Sequence, residues 1–232
     1  MKTIALILAG GTGSRFSSNE PKQFYKLKDK PLIIHTLDIF DKNILIDSIY
    51  VACLKEYIEP LRKLVKRYNM HKKINILEGG TTGLESTYKG IKEIAKKENI
   101  NSYIIIHDAN RPFIKNDNIE KLLLSCKKNG NGVTSLKTTE LIMYSEDGKS
   151  SNKCLGRDSL YSIQKPECYR LRELIETYNY AFENNITNFV ATCDLFIKLN
   201  KKIYLVEGNI DNIKITYKKD LIKANKILEK RK

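Results

Sequence analysis

The sequence has 232 residues, of which 41% are hydrophobic, and this is enough for one α/β domain with a hydrophobic core. The formal net charge of +14 comes from lysines scattered along the chain, and because no aromatic RNA motif or recognition-helix pattern accompanies them, we expect no nucleic-acid partner. The sequence shows no long apolar segment and no signal-peptide pattern, so we expect no membrane association and a cytoplasmic protein. The five cysteines form no Cys-x-x-Cys pair, which disfavours a disulfide framework or a zinc site.

In chain order, the first predicted element is a buried parallel strand at residues 4–8, followed by a glycine-rich turn. Gly10, Gly11 and Gly13 allow successive backbone N–H groups to turn toward phosphate oxygens. Arg15 and Lys22 would add positive charge. The same residues also fit a tight strand-to-helix turn with two solvated cations, and the glycines alone do not separate these interpretations. The loop matches neither the Walker motif nor the dinucleotide-binding fingerprint.

The later pattern predicts a largely parallel sheet with helices on both faces. Strand-like runs occur at residues 46–52, 73–77, 103–106, 132–136 and 203–207, with helical patterns between most of them. Residues 221–228 predict a closing helix.

One region interrupts this alternation. Residues 137–163 show no helical period and contain the turn sequence Glu146-Asp147-Gly148-Lys149, which predicts a hairpin arm. In an α/β domain, an arm of this length is expected to embrace a second copy of the chain, so we predict a homodimer.

The segment after the strand at 103–106 combines an acid, a base and a cation. Because open α/β sheets bind ligands at the carboxyl ends of their strands, Asp108 is a candidate magnesium ligand that bridges triphosphate oxygens. Asp108 also fits a turn cap before Pro112. His107 is expected to be structural, and Arg111 fits either a phosphate or an acidic neighbour.

Two further segments carry weaker patterns. Lys214 lies between two isoleucines on a predicted strand, where it is either a solvated edge residue or a side chain that projects into the site. The loop at 79–83 precedes a helix predicted to begin near Ser86. It fits close approach to a base or ribose, or a simple strand-to-helix connection.

Taken in order, these motifs resemble the polyol-phosphate cytidylyltransferases, which include 2-C-methyl-D-erythritol 4-phosphate and ribitol-5-phosphate cytidylyltransferases. The resemblance rests on 8–15, 21–24, Pro31, 35–37, Gly79, Gly80, Ser86, 107–109, 111–113, Arg157, Gln164, Pro166 and 212–216. It implies a three-layer α/β nucleotidyltransferase fold, Rossmann-like, with a mostly parallel sheet and a protruding β-hairpin arm. It also implies one cytidylyltransferase domain over 1–232, dimerised through the arm at 137–163.

The resemblance further implies that CTP and Mg²⁺ bind together and that the phosphate of a small polyol attacks the α-phosphorus of CTP and expels pyrophosphate. Arg15, Lys22 and Lys214 would be the catalytic cations. Asp108 would be the metal ligand. The implied nucleotide-binding residues are Leu8, Ala9, Gly10, Gly11, Gly13, Gly80, Ser86 and Asp108. The implied acceptor-binding residues are Arg111, Thr139 (or Thr138) and Arg157, the last two from the arm of a partner subunit.

Two departures bear on the substrate. Gly83 stands where the family usually has Arg, and Val190-Ala191 stands where the methylerythritol enzymes have a Thr-Asp pair. A ribitol-5-phosphate-like acceptor is therefore predicted, as in the synthesis of cell-wall or capsule precursors. A methylerythritol-phosphate enzyme of isoprenoid synthesis is the alternative. Because the departures are losses, a non-catalytic nucleotide-binding regulator is a third interpretation.

Overall fold

The computed structural model describes residues 1–11, 16 and 21–231. Within these ranges the strands are β1 (Thr3–Ala9), β2 (Lys26–Leu27), β3 (Lys30–Pro31), β4 (Ser48–Cys53), β5 (Ile74–Glu78), β6 (Tyr103–Asp108), β7 (Asn131–Lys137), β8 (Ile142–Tyr144), β9 (Lys153–Leu155), β10 (Tyr161–Arg170) and β11 (Leu205–Glu207). The α-helices are α1 (Leu32–Lys42), α2 (Ile58–Arg67), α3 (Gly83–Lys97), α4 (Asn116–Asn129), α5 (Leu171–Glu183), α6 (Thr192–Lys198) and α7 (Asp220–Glu229). Short 3₁₀ turns lie at Lys22–Phe24, Lys55–Tyr57 and Arg157–Ser159.

The main sheet has seven strands in the order β11-β7-β10-β6-β1-β4-β5. Strands β1, β4, β5 and β6 are mutually parallel, as are β7 and β11, whereas β10 runs antiparallel to both β6 and β7. Apolar side chains cover both faces of the central strands, as a sheet buried between helices requires. One face packs against α1, α2 and α4, and the other packs against α3, α5 and α6. The predicted three-layer α/β arrangement is confirmed.

Apart from shifts of one or two residues at the ends of elements, the structure differs from the sequence-based elements as follows. The predicted strand at 203–207 is limited to β11. Residues 212–216 form no strand. Ile215 makes two hydrogen bonds to Asn110, which lies just after β6, and no continuous ladder extends from them. Helix α3 begins at Gly83, three residues before Ser86, where Thr82 caps it. The antiparallel strand β10 was not predicted.

The arm is shorter than the predicted range 137–163. At its base, Lys137 pairs with Tyr161, so both ends of that range belong to the main sheet. Strands β8 and β9 form a separate two-stranded antiparallel sheet, in which Ile142 pairs with Leu155. Four consecutive large apolar side chains, residues 141–144, are exposed on this arm.

Among the described residues, no helix is both long and apolar enough to cross a membrane.

Candidate active site

A cavity of about 330 Å³ opens at the carboxyl ends of β1 and β6. Parallel α/β sheets bind ligands at this edge, because the loops that follow neighbouring strands converge there. The predicted site residues that line the cavity are Leu8, Ala9, Gly10, Gly11, Lys22, Ser86, Asp108 and Lys214. Thr81, Thr82 and Gly83 also line it, and they belong to the loop at 79–83 that was predicted to fit close approach to a base or ribose. No site role was predicted for the remaining lining residues, Gln23, Ala109 and Asn110.

The loop after β1 forms one wall of the cavity. A Cβ atom at Gly10 would lie 2.8 Å from the Ser86 hydroxyl oxygen, so a side chain there would displace Ser86. The buried amide of Gln23 donates to the carbonyls of Ala9 and Gly11, at 2.5 and 3.2 Å. These two bonds tie the 3₁₀ turn that carries Lys22 to the glycine loop. The only sequence sign of this role is that Gln23 directly follows Lys22.

The N-terminus of α3 also lines the cavity, next to the glycine loop. The Thr82 hydroxyl accepts a hydrogen bond from the Glu85 N–H at 3.1 Å, and the Glu85 carboxylate accepts from the Thr81 N–H at 2.7 Å. This reciprocal capping leaves the positive end of a 15-residue helix beside the cavity, where an anion is favoured. The Ser86 hydroxyl accepts from the Gly80 N–H at 2.9 Å, so in this structure Ser86 shapes the loop that precedes the helix.

The floor of the cavity carries a charged cluster of Asp108, Arg111 and Lys214. Oδ2 of Asp108 lies 3.1 Å from Arg111 Nε and 3.1 Å from Lys214 Nζ, and the Asp108 side chain is 13% exposed. Burial alone would raise the pKa of Asp108, but the charges of Lys214, Arg111 and Lys165 hold it well below its usual range. Asp108 is therefore a carboxylate throughout the neutral range.

Arg111 does not line the cavity but supports its floor. Besides Asp108, its guanidinium donates to the carbonyl oxygen of Asn212 at 2.9 Å. Of the two predicted interpretations of Arg111, the acidic neighbour is the contact that this structure contains.

Two hydrogen bonds between Asn110 and Ile215 position the segment that carries Lys214. The Ile215 N–H donates to the Asn110 carbonyl at 3.0 Å, and the Asn110 amide donates to the Ile215 carbonyl at 2.6 Å. Lys214 is thus fixed on a non-strand segment whose neighbour Ile215 is buried. The side chain of Lys214 is 44% exposed, and its ammonium group lines the cavity beside Asp108.

His107 is fully buried beneath this cluster. Its Nε2–H donates to the Arg111 carbonyl at 2.9 Å, since a carbonyl oxygen only accepts. Burial lowers the pKa of His107 to about 4, and the positive charges of Arg111 and Lys165 act in the same direction. A neutral histidine bonded to the backbone is the structural role expected for it.

Other predicted site residues lie away from this cavity. Gly80 is adjacent to it through its bond to Ser86, whereas Gly13 and Arg15 fall outside the described residues. Thr139 and Arg157 are exposed on the arm and do not line the cavity of their own chain.

Asp108 is a side chain at the cavity that could bind Mg²⁺. Over the described ranges, no group of three or more His, Cys, Asp or Glu side chains is arranged to hold a metal. Both ion pairs of Asp108 use Oδ2. Since Mg²⁺ is commonly held by one or two carboxylates together with substrate phosphates, Asp108 fits a shared site of that kind.

Comparisons with known proteins agree with this geometry. The family model described as IspD, 2-C-methyl-D-erythritol 4-phosphate cytidylyltransferase, matches residues 3–230. The chain is 35% identical to a ribitol-5-phosphate cytidylyltransferase of Vibrio parahaemolyticus, over 92% of this chain and 90% of that protein. It is 31% identical to a 2-C-methyl-D-erythritol 4-phosphate cytidylyltransferase of Clostridium acetobutylicum, over 97% of each.

Among solved structures, the Francisella tularensis 2-C-methyl-D-erythritol 4-phosphate cytidylyltransferase superposes with a TM-score of 0.81 at 28% identity, covering 97% of this chain and 99% of that one. The family match, the relatives and the fold together cover nearly the whole chain. The protein therefore belongs to the polyol-phosphate cytidylyltransferase family of nucleotidyltransferases.

Proposed function

We propose that this enzyme transfers CMP from CTP to a polyol phosphate resembling ribitol 5-phosphate, with release of pyrophosphate. The observation that carries the proposal is the convergence on one cavity of the glycine loop after β1, the N-terminus of α3 and the charged cluster. The first two features suit a triphosphate, because backbone N–H groups and a helix N-terminus attract phosphate oxygens. The cluster supplies cations beside the same space.

In the proposed reaction, an oxygen of the acceptor phosphate attacks the α-phosphorus of CTP. A new phosphorus–oxygen bond forms, the bond between the α-phosphorus and the bridging oxygen breaks, and pyrophosphate leaves with that oxygen. Lys22 and Lys214, with Arg15, stabilise the negative charge that develops. Positioning and charge account for such transfers, so the chain needs no covalent intermediate.

Asp108 is the proposed ligand of Mg²⁺. When bound, Mg²⁺ neutralises charge on the triphosphate oxygens. Lys214 and Arg111 keep Asp108 ionised and fix its orientation, so its carboxylate is ready to share a cation with the nucleotide.

The choice of acceptor rests on two observations. The relative from Vibrio parahaemolyticus, at 35% identity, is named for ribitol 5-phosphate. Val190 and Ala191 have only apolar side chains, whereas the methylerythritol enzymes have a Thr-Asp pair at this position. The family description and the Clostridium acetobutylicum relative support 2-C-methyl-D-erythritol 4-phosphate as the second candidate.

We also propose that a second copy of this chain covers the arm. Residues 141–144 present a continuous apolar surface that their own chain leaves exposed. Thr139 and Arg157 lie on the same arm, and a homodimer would bring them to the cavity of the partner. Because the reaction consumes CTP, a cytoplasmic location is proposed with it.

The decisive experiment measures pyrophosphate release from CTP with ribitol, glycerol, erythritol and 2-C-methyl-D-erythritol phosphates. Fastest release is expected with ribitol 5-phosphate. Release with only the methylerythritol compound would establish the second candidate, and the absence of release with every acceptor would overturn the proposal. UTP should react more slowly than CTP, because a pocket that pairs with the exocyclic amine leaves buried groups unsatisfied when a carbonyl replaces it. Equal rates would contradict the choice of CTP.

A further inference from the structure

A buried ion pair lies on β10, outside the residues assigned above. Lys165 Nζ lies 2.9 Å from Glu167 Oε2, with the Lys165 side chain 15% exposed and the Glu167 side chain fully buried. The Tyr169 hydroxyl also donates to Oε2 at 3.0 Å. Burying a carboxylate and an ammonium carries a large desolvation cost, so such a pair need not contribute net stability.

The pair lies next to the charged cluster. Glu167 pairs with Ile106 in the antiparallel register of β10 and β6, two residues before Asp108 at the end of β6. Asn212 connects the two groups, because its backbone carbonyl accepts from Arg111 at 2.9 Å and its side-chain amide donates to the Lys165 carbonyl. The charge of Lys165 also contributes to the low pKa of Asp108, after burial and the larger effects of Lys214 and Arg111.

Several polar atoms around the pair are unsatisfied. Within the described part of the chain, Oε1 of Glu167, Oδ1 of Asn212 and Nδ2 of Asn209 are buried without a hydrogen-bond partner. Asn212 contacts the backbone of Lys165, since its side-chain amide donates to the Lys165 carbonyl at 2.6 Å. Asn209 bonds to Gln164, the residue before Lys165. Buried polar atoms in native proteins are nearly always paired with protein groups or ordered water, so these atoms have unused capacity to bind a hydroxyl group.

The chemistry of these atoms selects the ligand. The carboxylate of Glu167 would repel a phosphate, whereas a hydroxyl group donates to Oε1 or Oδ1 and accepts from an ammonium or amide. The set contains both acceptors and donors, as a chain of alcohol groups requires. A polyol fits this region, and its phosphate fits the adjacent cations.

We infer that Lys165, held in place by Glu167, binds a hydroxyl group of the acceptor polyol and determines which polyol phosphate reacts. This inference rests on the proposed function, since it names the part of the same site that recognises the carbon chain. Lys165 contacts substrate, and Glu167 is a positioning residue.

The test compares the acceptor with analogues that each lack one hydroxyl group. For the wild-type enzyme, the ratio of kcat/KM between the acceptor and at least one deoxy analogue should be about tenfold or more, the scale of one hydrogen bond to a charged group. In Lys165→Met that ratio should fall close to one for the same analogue, while the KM for CTP is unchanged. Lys198→Met, which removes an exposed lysine from α6, is the matched control and should keep the wild-type ratio.

Glu167→Gln provides a second variant of nearly the same shape, in case Lys165→Met leaves Glu167 uncompensated and fails to fold. Its ratio should fall several-fold, mainly through a higher acceptor KM at similar kcat. Replacing a residue that only stabilises the fold would change kcat/KM for the acceptor and for its deoxy analogue by the same factor. An unchanged ratio in whichever variant folds would therefore overturn the inference. Wild-type turnover is measured first. Its absence with every polyol phosphate contradicts the proposed function, whereas turnover with an unchanged ratio contradicts only the role of Lys165.

Discussion

The cavity edge and the arm differ in how far their polar side chains are buried. At the cavity edge, the Asp108 side chain is 13% exposed at the end of β6, a strand buried on both faces, and two cations contact its carboxylate. On the arm, Thr139 and Arg157 are exposed and belong to a region outside the hydrophobic core. The sheet of one chain is sufficient to position the first group. Thr139 and Arg157 do not line the cavity of their own chain, so their proposed role depends on the proposed homodimer.

Among the substitutions considered, Lys22→Ala at the cavity edge is expected to have the largest effect. Lys22 lines the cavity beside the glycine loop, so its loss should lower turnover by at least about a hundredfold, the scale of one preorganised contact to a transition state. Steady-state pyrophosphate release measures this. Lys26→Ala, at an exposed position four residues later, should retain wild-type turnover. Normal turnover of Lys22→Ala would remove Lys22 from the mechanism.

The burial that positions the cavity edge should also make it sensitive to acid. The fold holds the pKa of His107 at about 4, against an ordinary 6.5, so between these values the unfolded chain binds more protons. Stability therefore falls as pH falls through this window. From pH 7 to pH 5 the contribution of His107 to the free energy of unfolding should drop by about 2 kcal/mol. The low pKa of Asp108 acts only below its ordinary 3.8 and lies outside this range.

Urea unfolding of His107→Gln isolates this effect. The Gln amide can donate to the Arg111 carbonyl in place of Nε2–H but does not titrate, so this variant should lose about 2 kcal/mol less than wild type between pH 7 and pH 5. His71→Gln, at an exposed histidine, should follow the wild-type curve. Parallel losses in wild type and His107→Gln would show that His107 is not held neutral by the fold.

The same contrast explains which parts of the fold could be predicted from the sequence. The strands β1 and β6 are nearly continuous apolar runs. A glycine loop follows β1, and β6 ends in the acidic residue Asp108. Both the strands and the edge at which they end could therefore be predicted. Strand β10 could not be predicted, because Tyr161–Arg170 mixes charged, polar and apolar residues and its pairing with β6 and β7 is a tertiary effect.

The missed site residues have a similar physical cause. A lysine and a glutamate two residues apart are typical of a solvated strand, so nothing local indicates that Lys165 and Glu167 pair in a buried place. For Ile213 to Ile215 the alternation of side chains suggested a strand, but only tertiary hydrogen bonds from Asn110 decide where Lys214 lies. The roles of Arg15, Thr139 and Arg157 stay predictions.

The smallest expected effect is that of a substitution on the arm, at Arg157. If Arg157 reaches the acceptor in the partner's cavity, Arg157→Ala should raise the acceptor KM about tenfold and leave the KM for CTP nearly unchanged, because the two ligands then depend on different cations. Steady-state kinetics with each substrate varied separately measures this. Lys149→Ala, on the exposed turn of the same arm, is the control and should change neither constant.

Mixing subunits decides whether the contact is made within or between chains. Arg157→Ala and Lys22→Ala homodimers are each impaired, but a mixed dimer contains one cavity with its own Lys22 and an intact Arg157 from the partner. At subsaturating acceptor, activity should therefore rise on mixing, toward the level of one native site per mixed dimer. Subunit exchange is verified with differently tagged chains, and mixing Lys22→Ala with a Lys22→Ala/Arg157→Ala double variant provides the baseline. If exchange is complete and activity does not rise, Arg157 does not act across the interface, and the arm does not complete the partner's site.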